Sequence, residues 1–239
     1  MRFSAEQLAL DLPHLVEFGR AAFLPGPSNA NALALIDRWP QWPGNAAVIW
    51  GPEGTGKSHL CDIWRARSGA RTVDARDLVS EDLPTAFGTG GLAVEAIDTD
   101  GVQQTLLFHA LNLARGGQGF LLMTARRNPA AVGFDLPDLA SRLRSLPAAE
   151  LKEPDDPLLR RVLTKLFADR QLQVDPDLIE FLAQRMERSL AAAMGVVAAL
   201  DRASLVEARP ITRRFAARVL GPHFAADAAA GQGDLFGGE

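Results

Sequence analysis

The sequence predicts an α/β fold followed by a small all-α domain. Over residues 46–125, short apolar runs alternate with helix-forming stretches, the pattern of a parallel sheet covered by helices on both faces. Over residues 155–220 the hydrophobic spacing is helical throughout. A glycine-rich segment joins the first apolar run to the helix that follows it. The chain of 239 residues is long enough for one medium domain or two small ones.

The α/β part can be divided into elements in chain order. Apolar runs of strand length predict strands at 46–50, 71–74, 92–98 and 119–124. Residues 30–39, 59–67 and 105–115 have helical spacing, and Ser28 or Asn29 is suited to cap the first of these helices. We expect this nucleotide-binding type of α/β domain to span residues 21–150.

The second half contains helices only, predicted at 156–169, 177–188, 191–207 and 211–220. Pro176 and Pro210 separate them, because proline disfavours helix at the residue before it. We expect a helical domain over residues 151–222. Segments 1–20 and 223–239 flank the two domains, and the Ala- and Gly-rich tail is expected to be disordered.

The segment after the first strand contains the pattern G-x-x-x-x-G-K-[ST]. Its residues are Gly51, Pro52, Glu53, Gly54, Thr55, Gly56, Lys57 and Ser58. The glycines allow backbone N–H groups to close around phosphate oxygens, Lys57 reaches the β- and γ-phosphates, and the Ser58 hydroxyl can ligate Mg²⁺. A strand before the loop and a helix after it predict a purine nucleotide site that takes ADP or ATP with Mg²⁺.

Composition excludes several classes of function. The net charge of −4 and pI near 5.6 provide no field that draws the chain onto DNA, and the one cysteine, Cys61, precludes an internal disulfide. The four histidines lack metal-ligand spacing, and no serine-hydrolase elbow is present. With no apolar stretch of membrane-spanning length, we expect a soluble cytoplasmic protein without a membrane partner.

Four segments resemble the DnaA-related AAA+ family, and within it the Hda-like regulators. They are residues 23–29, 49–60, 136–143 and 200–204, and the resemblance covers about residues 5–220. It implies an AAA+ P-loop domain, with its parallel sheet sandwiched by helices, followed by a small all-α lid domain. It also implies that Asn29 lies on the adenine side of the nucleotide and that His59 belongs to the nucleotide-binding segment that contains the phosphate loop, residues 51–58.

The resemblance assigns the activity to Arg142, within segment 136–143. It implies an arginine finger that enters the ATP site of DnaA in trans and stimulates hydrolysis there, which makes the chain a negative regulator of replication initiation. A guanidinium stabilises charge developing on the transferred phosphoryl group. Arg144 is a weaker candidate, and a surface salt bridge is the alternative role for Arg142.

The N-terminal string resembles the peptide by which Hda-like proteins dock on the sliding clamp, the β subunit of DNA polymerase III. Its residues are Gln7, Leu8, Leu10, Leu12 and Pro13. An extended segment can place leucines in an apolar pocket while the Gln7 amide bonds at the rim; the alternative is a leucine-rich helix packed on its own core.

The tail carries a weaker candidate of the same kind, formed by Gln232, Leu235 and Phe236. These hydrophobic residues lie in a polar, glycine-rich segment, so they have no obvious core to join. The alternative is an unstructured end with incidental hydrophobic residues.

The chain departs from the family pattern at three places. Glu95 is followed by Ala96 where paired acids are usual, Thr124 is the remaining polar residue after the fourth strand, and Ala191 replaces a lid arginine. Arg188 would substitute only if the helix were rotated. We therefore expect a site that retains nucleotide, with ADP favoured, and turns over very little ATP.

Two alternatives from other classes remain at this stage. One is a clamp-tethered, nucleotide-dependent adaptor without an effective finger, and the other is a helicase or clamp-loader type of AAA+ ATPase. DNA is expected only indirectly, through the clamp, because no helix-turn-helix domain follows the lid. The sequence leaves the oligomeric state open, a homo-oligomer included.

Overall fold

A computed structural model describes residues 19–79, 83–88 and 90–221. Both predicted clamp-binding segments, 7–13 and 232–236, lie outside these residues. The described part contains a five-stranded sheet whose paired strands are all parallel, in the order β2-β3-β4-β1-β5. The strands are β1 (Ala46–Trp50), β2 (Arg71–Asp74), β3 (Gly91–Glu95), β4 (Phe120–Ala125) and β5 (Ala148–Glu150).

Helices cover both faces of this sheet, as the alternating pattern predicts. One face packs against α1 (Ala30–Asp37) and α2 (Lys57–Ser68), with Trp64 completely buried. The other packs against α3 (Leu83–Phe87), α4 (Gln104–Arg115) and α5 (Pro137–Ser145). Two hydrophobic layers therefore hold the central strands, β1, β3 and β4, whose buried apolar runs are typical of parallel strands.

A separate hydrophobic core holds the remaining helices together. They are α6 (Asp156–Asp169), α7 (Pro176–Ala183), α8 (Leu190–Glu207) and α9 (Arg213–Leu220). Side chains cap three of them: Asp155 accepts a hydrogen bond from Leu158 N, Ser189 from Ala192 N, and Thr212 from Phe215 N. Such caps satisfy backbone N–H groups that have no partner inside the helix.

Some element boundaries differ from the prediction. The helix predicted at 177–188 ends at Ala183, because the chain turns over the next residues to place Ser189 at the start of α8. The helix predicted from residue 211 begins at Arg213, since Thr212 serves as its cap. The strand predicted at 92–98 ends at Glu95, where Ala96 has a left-handed backbone with a φ of 59°.

The topology brings the loops of interest to one edge of the sheet. Because β1, β3 and β4 are parallel, their carboxyl ends lie together, and the loop after β1 meets the residues that follow β3 and β4. The helical domain approaches this edge directly: Leu190 N, at the start of α8, donates to Gly54 O at 2.8 Å. Within the described residues, no helix combines the length and apolar character needed to cross a membrane.

Candidate nucleotide site between the phosphate loop and the lid

The loop after β1 adopts a conformation that depends on glycine. Gly54 and Gly56 have φ angles of 74° and 101°, a region that other residues rarely adopt. A Cβ at Gly54 would lie 2.8 Å from the Cβ of Ser189, so this loop and the start of α8 are in close contact. The glycine spacing therefore serves both the loop conformation and the approach of the lid helices α6–α9.

Lys57 lies over the loop and is held by it. Its Nζ donates to the carbonyl oxygens of Gly51 and Pro52 at 2.7 and 2.6 Å, and Thr55 Oγ1 donates to the second of these oxygens at 2.9 Å. Burial lowers the pKa of Lys57, and the charge of Arg126 lowers it further. An anion placed beside Lys57 would favour its charged form and reverse this shift.

Beside the contact between the phosphate loop and α8, a cleft of about 850 Å³ lies between the carboxyl edge of the sheet and the lid. This volume lies within the range of roughly 300–1,000 Å³ found for small-molecule and cofactor sites. The sheet side contributes Phe23, Leu24, Asn29, Glu53, Gly54, Gly56, Lys57, Ser58, His59, Glu95, Ala96, Thr124 and Arg126. The lid side contributes Leu158, Val162, Lys165, Leu166, Asp169, Arg170, Leu190, Ala191 and Met194.

Asn29 shapes the entry segment at one end of the cleft. Its side chain is buried, with Oδ1 accepting from Gly26 N at 2.9 Å and Nδ2 donating to Leu24 O at 3.0 Å. The hypothesis that Asn29 caps α1 through its side chain is wrong, because these bonds fix the turn before the helix instead. The ring of Phe23 meets the His59 ring edge-on at 5.2 Å, so an aromatic surface faces the cleft.

Thr124 and Glu95 lie side by side at the ends of β4 and β3. Thr124 Oγ1 accepts from Ala96 N at 3.0 Å, which leaves its hydroxyl hydrogen available for a ligand. Burial, together with the nearby Glu95 carboxylate, raises the pKa of the Cys61 thiol well above its usual value. Cys61 is therefore a structural thiol, and Ala96 offers no second carboxylate.

Another acid near the strand ends, Asp98, has a structural role. Its side chain is 1% exposed and accepts hydrogen bonds from Arg126 N and Arg127 N at 2.9 and 3.0 Å. Because both carboxylate oxygens are occupied in this way, Asp98 fixes the turn after β4. It is thus not positioned as the second acid of the cleft.

Two residues of the sheet side fit a Mg²⁺ ion that is coordinated mainly by phosphate. Ser58, in the first turn of α2, and Glu95 both line the cleft. The described residues contain no group of three His, Cys, Asp or Glu side chains that could hold a metal ion. This arrangement suits Mg²⁺, which keeps several waters and binds through one or two protein groups together with substrate phosphates.

The lid contributes cations that sequence reasoning missed. Arg188 pairs with Asp156 at 2.7 Å and does not line the cleft, so it does not replace the arginine missing at Ala191. Lys165 and Arg170 line the cleft instead, and the Arg170 side chain is only 10% exposed. Residues 158, 162, 165, 166 and 169 recur at helical spacing and lie on one face of α6. This spacing could have indicated from the sequence that Lys165 faces the same way as the apolar residues around it.

Arg142 lies on α5 and is not among the residues that line the cleft. Its guanidinium donates to Asn112 Oδ1 and lies 4.4 Å from the centroid of the Phe108 ring. Arg142 is half-buried, whereas Arg144 is exposed. Phe108 and Asn112 are four residues apart on α4, a spacing that places them on one face, but their contact with Arg142 required knowledge of the helix packing.

Comparisons with known proteins agree with this architecture. Residues 156–220 match the family model described as the Hda lid domain. Domain III of Thermotoga maritima DnaA is 19% identical, with a TM-score of 0.72, over 85% of this chain and 95% of that one. AMPPCP-bound DnaA from Aquifex aeolicus is 18% identical, with a TM-score of 0.62, over 74% of this chain and 62% of that one.

The structure also matches a protein that is not a replication initiator. The Holliday junction branch migration motor RuvB of Thermotoga maritima is 17% identical, with a TM-score of 0.59, over 73% of this chain and 60% of that one. The TM-scores show that the fold is shared, and the family model matches the lid helices alone. The chain therefore has the AAA+ P-loop fold followed by a helical lid, and this lid is similar to the Hda lid domain.

Proposed function

We propose that the cleft binds an adenine nucleotide with Mg²⁺. Backbone N–H groups of residues 51–58 surround the phosphates, Lys57 neutralises them and Ser58 ligates the ion. At the other end, Phe23 and Asn29 border the base, and His59 packs against Phe23. The nucleotide analogue bound by the similar Aquifex aeolicus DnaA supports this assignment.

The same cleft is poorly equipped to hydrolyse its own nucleotide. Glu95 is placed to face the metal ion, Ala96 supplies no base, and Asp98 is bonded to the turn after β4. General-base catalysis needs a basic side chain within hydrogen-bond reach of the attacking water, and in this fold an acid after the third strand would be expected to supply it. We therefore assign the bound nucleotide, ADP in the resting protein, a structural role with negligible turnover.

Arg142 acts on a partner's nucleotide, and the observation that carries this proposal is its position outside its own cleft. On α5 the guanidinium lies against Phe108 and Asn112, where it cannot serve the phosphate loop of the same chain. Together with the Hda-type lid, this supports a finger that enters the ATP site of DnaA and stimulates hydrolysis there. The chain is accordingly proposed as a negative regulator of replication initiation.

Docking on the sliding clamp is the proposed role of the N-terminal string from Gln7 to Pro13, with the motif at Gln232, Leu235 and Phe236 as a weaker second contact. A pull-down with purified clamp tests both. Gln7→Ala combined with Leu10→Ala is expected to abolish capture, and Leu235→Ala with Phe236→Ala to reduce it. Unchanged capture by the first double variant would refute the N-terminal assignment.

The finger is tested by measuring hydrolysis of ATP bound to DnaA in the presence of clamp loaded on DNA. Wild-type protein is expected to accelerate hydrolysis, and Arg142→Ala to lose about 10³-fold or more of that acceleration. Arg144→Ala is the matched control, because it removes an exposed arginine two residues along the same helix. Loss of acceleration in Arg144→Ala alone would assign the finger to Arg144.

Two other results would favour the alternatives. Clamp binding without acceleration by any variant would identify an adaptor. Strong ATP hydrolysis by this chain alone would identify a motor of the helicase or clamp-loader type.

A further inference from the structure

Arg126 is a second cation at the phosphate end of the cleft, beside Lys57. It follows β4 directly and lines the cleft, and its guanidinium forms an ion pair with Glu53 of the phosphate loop, Nη2 to Oε2, at 3.1 Å. After burial, the charge of Arg126 lowers the pKa of Lys57 most, which agrees with the two cations lying close together in the cleft. The pair therefore lies at the phosphate end of the cleft, beside the amine expected to reach the β- and γ-phosphates.

The backbone of Arg126 is fixed while its side chain is accessible. Asp98 accepts the N–H groups of both Arg126 and Arg127, which anchors the turn to the sheet. The Arg126 and Glu53 side chains are 62% and 81% exposed. An ion pair with this exposure contributes little to stability, so a more highly charged anion can displace Glu53 at small cost. A phosphate group, which accepts two parallel N–H bonds from a guanidinium, is such an anion.

We propose that Arg126 binds the terminal phosphate of a nucleoside triphosphate in the cleft, exchanging its contact with Glu53 for the γ-phosphate. Arg126 then makes the site discriminate between triphosphate and diphosphate, a task for which the lid offers no arginine at Ala191. Glu53 holds the guanidinium in place when the γ-phosphate is absent and repels the triphosphate weakly. This inference rests on the proposed nucleotide binding and adds a specificity-determining residue to it.

The test compares affinities for ATP and ADP, each with Mg²⁺, by titration of the full chain. Arg126→Ala is expected to weaken ATP binding about tenfold or more, because it removes a charge-assisted contact, and to change ADP binding less than about threefold. Glu53→Gln is expected to strengthen ATP binding about threefold by removing the competing carboxylate. Arg126→Lys should retain part of the preference, since lysine keeps the charge and loses the paired geometry.

Arg127→Ala is the matched control. Arg127 is the neighbouring arginine, its Nε faces Asp98 at 3.5 Å, and it does not line the cleft. If Arg126→Ala changes the ratio of ATP to ADP affinity no more than Arg127→Ala does, the inference is overturned while nucleotide binding stands. If the wild-type chain binds neither nucleotide, the proposed function fails as well. Circular dichroism of each variant checks that the fold is intact.

Discussion

Gly54 joins the phosphate loop to the lid, and its replacement by alanine has consequences that can be worked out from the structure. The φ of 74° is left-handed, which costs an L-residue about 1–2 kcal/mol. The new Cβ would lie 2.8 Å from Ser189 Cβ and 3.2 Å from Ala191 Cβ, so the start of α8 must move. That movement breaks the 2.8 Å bond from Leu190 N to Gly54 O, worth about 1 kcal/mol.

Gly54→Ala is therefore expected to lower the free energy of unfolding by about 2–3 kcal/mol in urea, and to weaken nucleotide binding about tenfold or more. Gly101→Ala is the control, because Gly101 has a φ of 85° but no atom within 4 Å of the added Cβ. It should lose only the backbone contribution of about 1–2 kcal/mol and keep its nucleotide affinity. Equal nucleotide affinities for wild type and Gly54→Ala would refute the claim that the contact between loop and lid supports nucleotide binding.

Three further substitutions examine other parts of the account. Ala191→Arg places a guanidinium beside the loop and should tighten ATP binding about tenfold in a fluorescence titration, while ATP turnover stays negligible because Ala96 is unchanged. Asn112→Ala frees the Arg142 guanidinium and should slow stimulated hydrolysis on DnaA about tenfold or more, with unchanged nucleotide affinity of this chain. Thr124→Val leaves Ala96 N without its acceptor and should cost about 1–3 kcal/mol in urea unfolding, whereas Thr124→Ser should be close to wild type.

Sequence patterns were most informative where a local rule determines the structure. The strand β1 and helix α6 have the predicted bounds, because a short buried apolar run and a capped, periodic segment each identify an element. The strand β5 was missed: its three residues, Ala-Ala-Glu, have no strand propensity, and they are held by pairing with β1. A pairing over such a distance in sequence is not visible in a local pattern.

In the candidate site too, a local motif could be predicted from the sequence, whereas roles that depend on packing could not. The motif located the phosphate loop, whereas the roles of Asp98, Arg126 and Arg170 depend on which loops and helices meet. Asp98 could not be distinguished from a catalytic acid until its carboxylate was found bonded to the turn after β4. Arg170 lines the cleft from just after α6, where its guanidinium also pairs with Asp201 on α8 at 3.5 Å.

Calorimetric titration of the full chain with ADP and Mg²⁺ tests the central claim most directly, since every proposed role depends on an occupied cleft. The account predicts saturable binding of one nucleotide per chain, lost in Lys57→Ala, because the Lys57 amine and the loop amides together neutralise the phosphates. Absence of binding by the wild-type chain, or undiminished binding by Lys57→Ala, would contradict it.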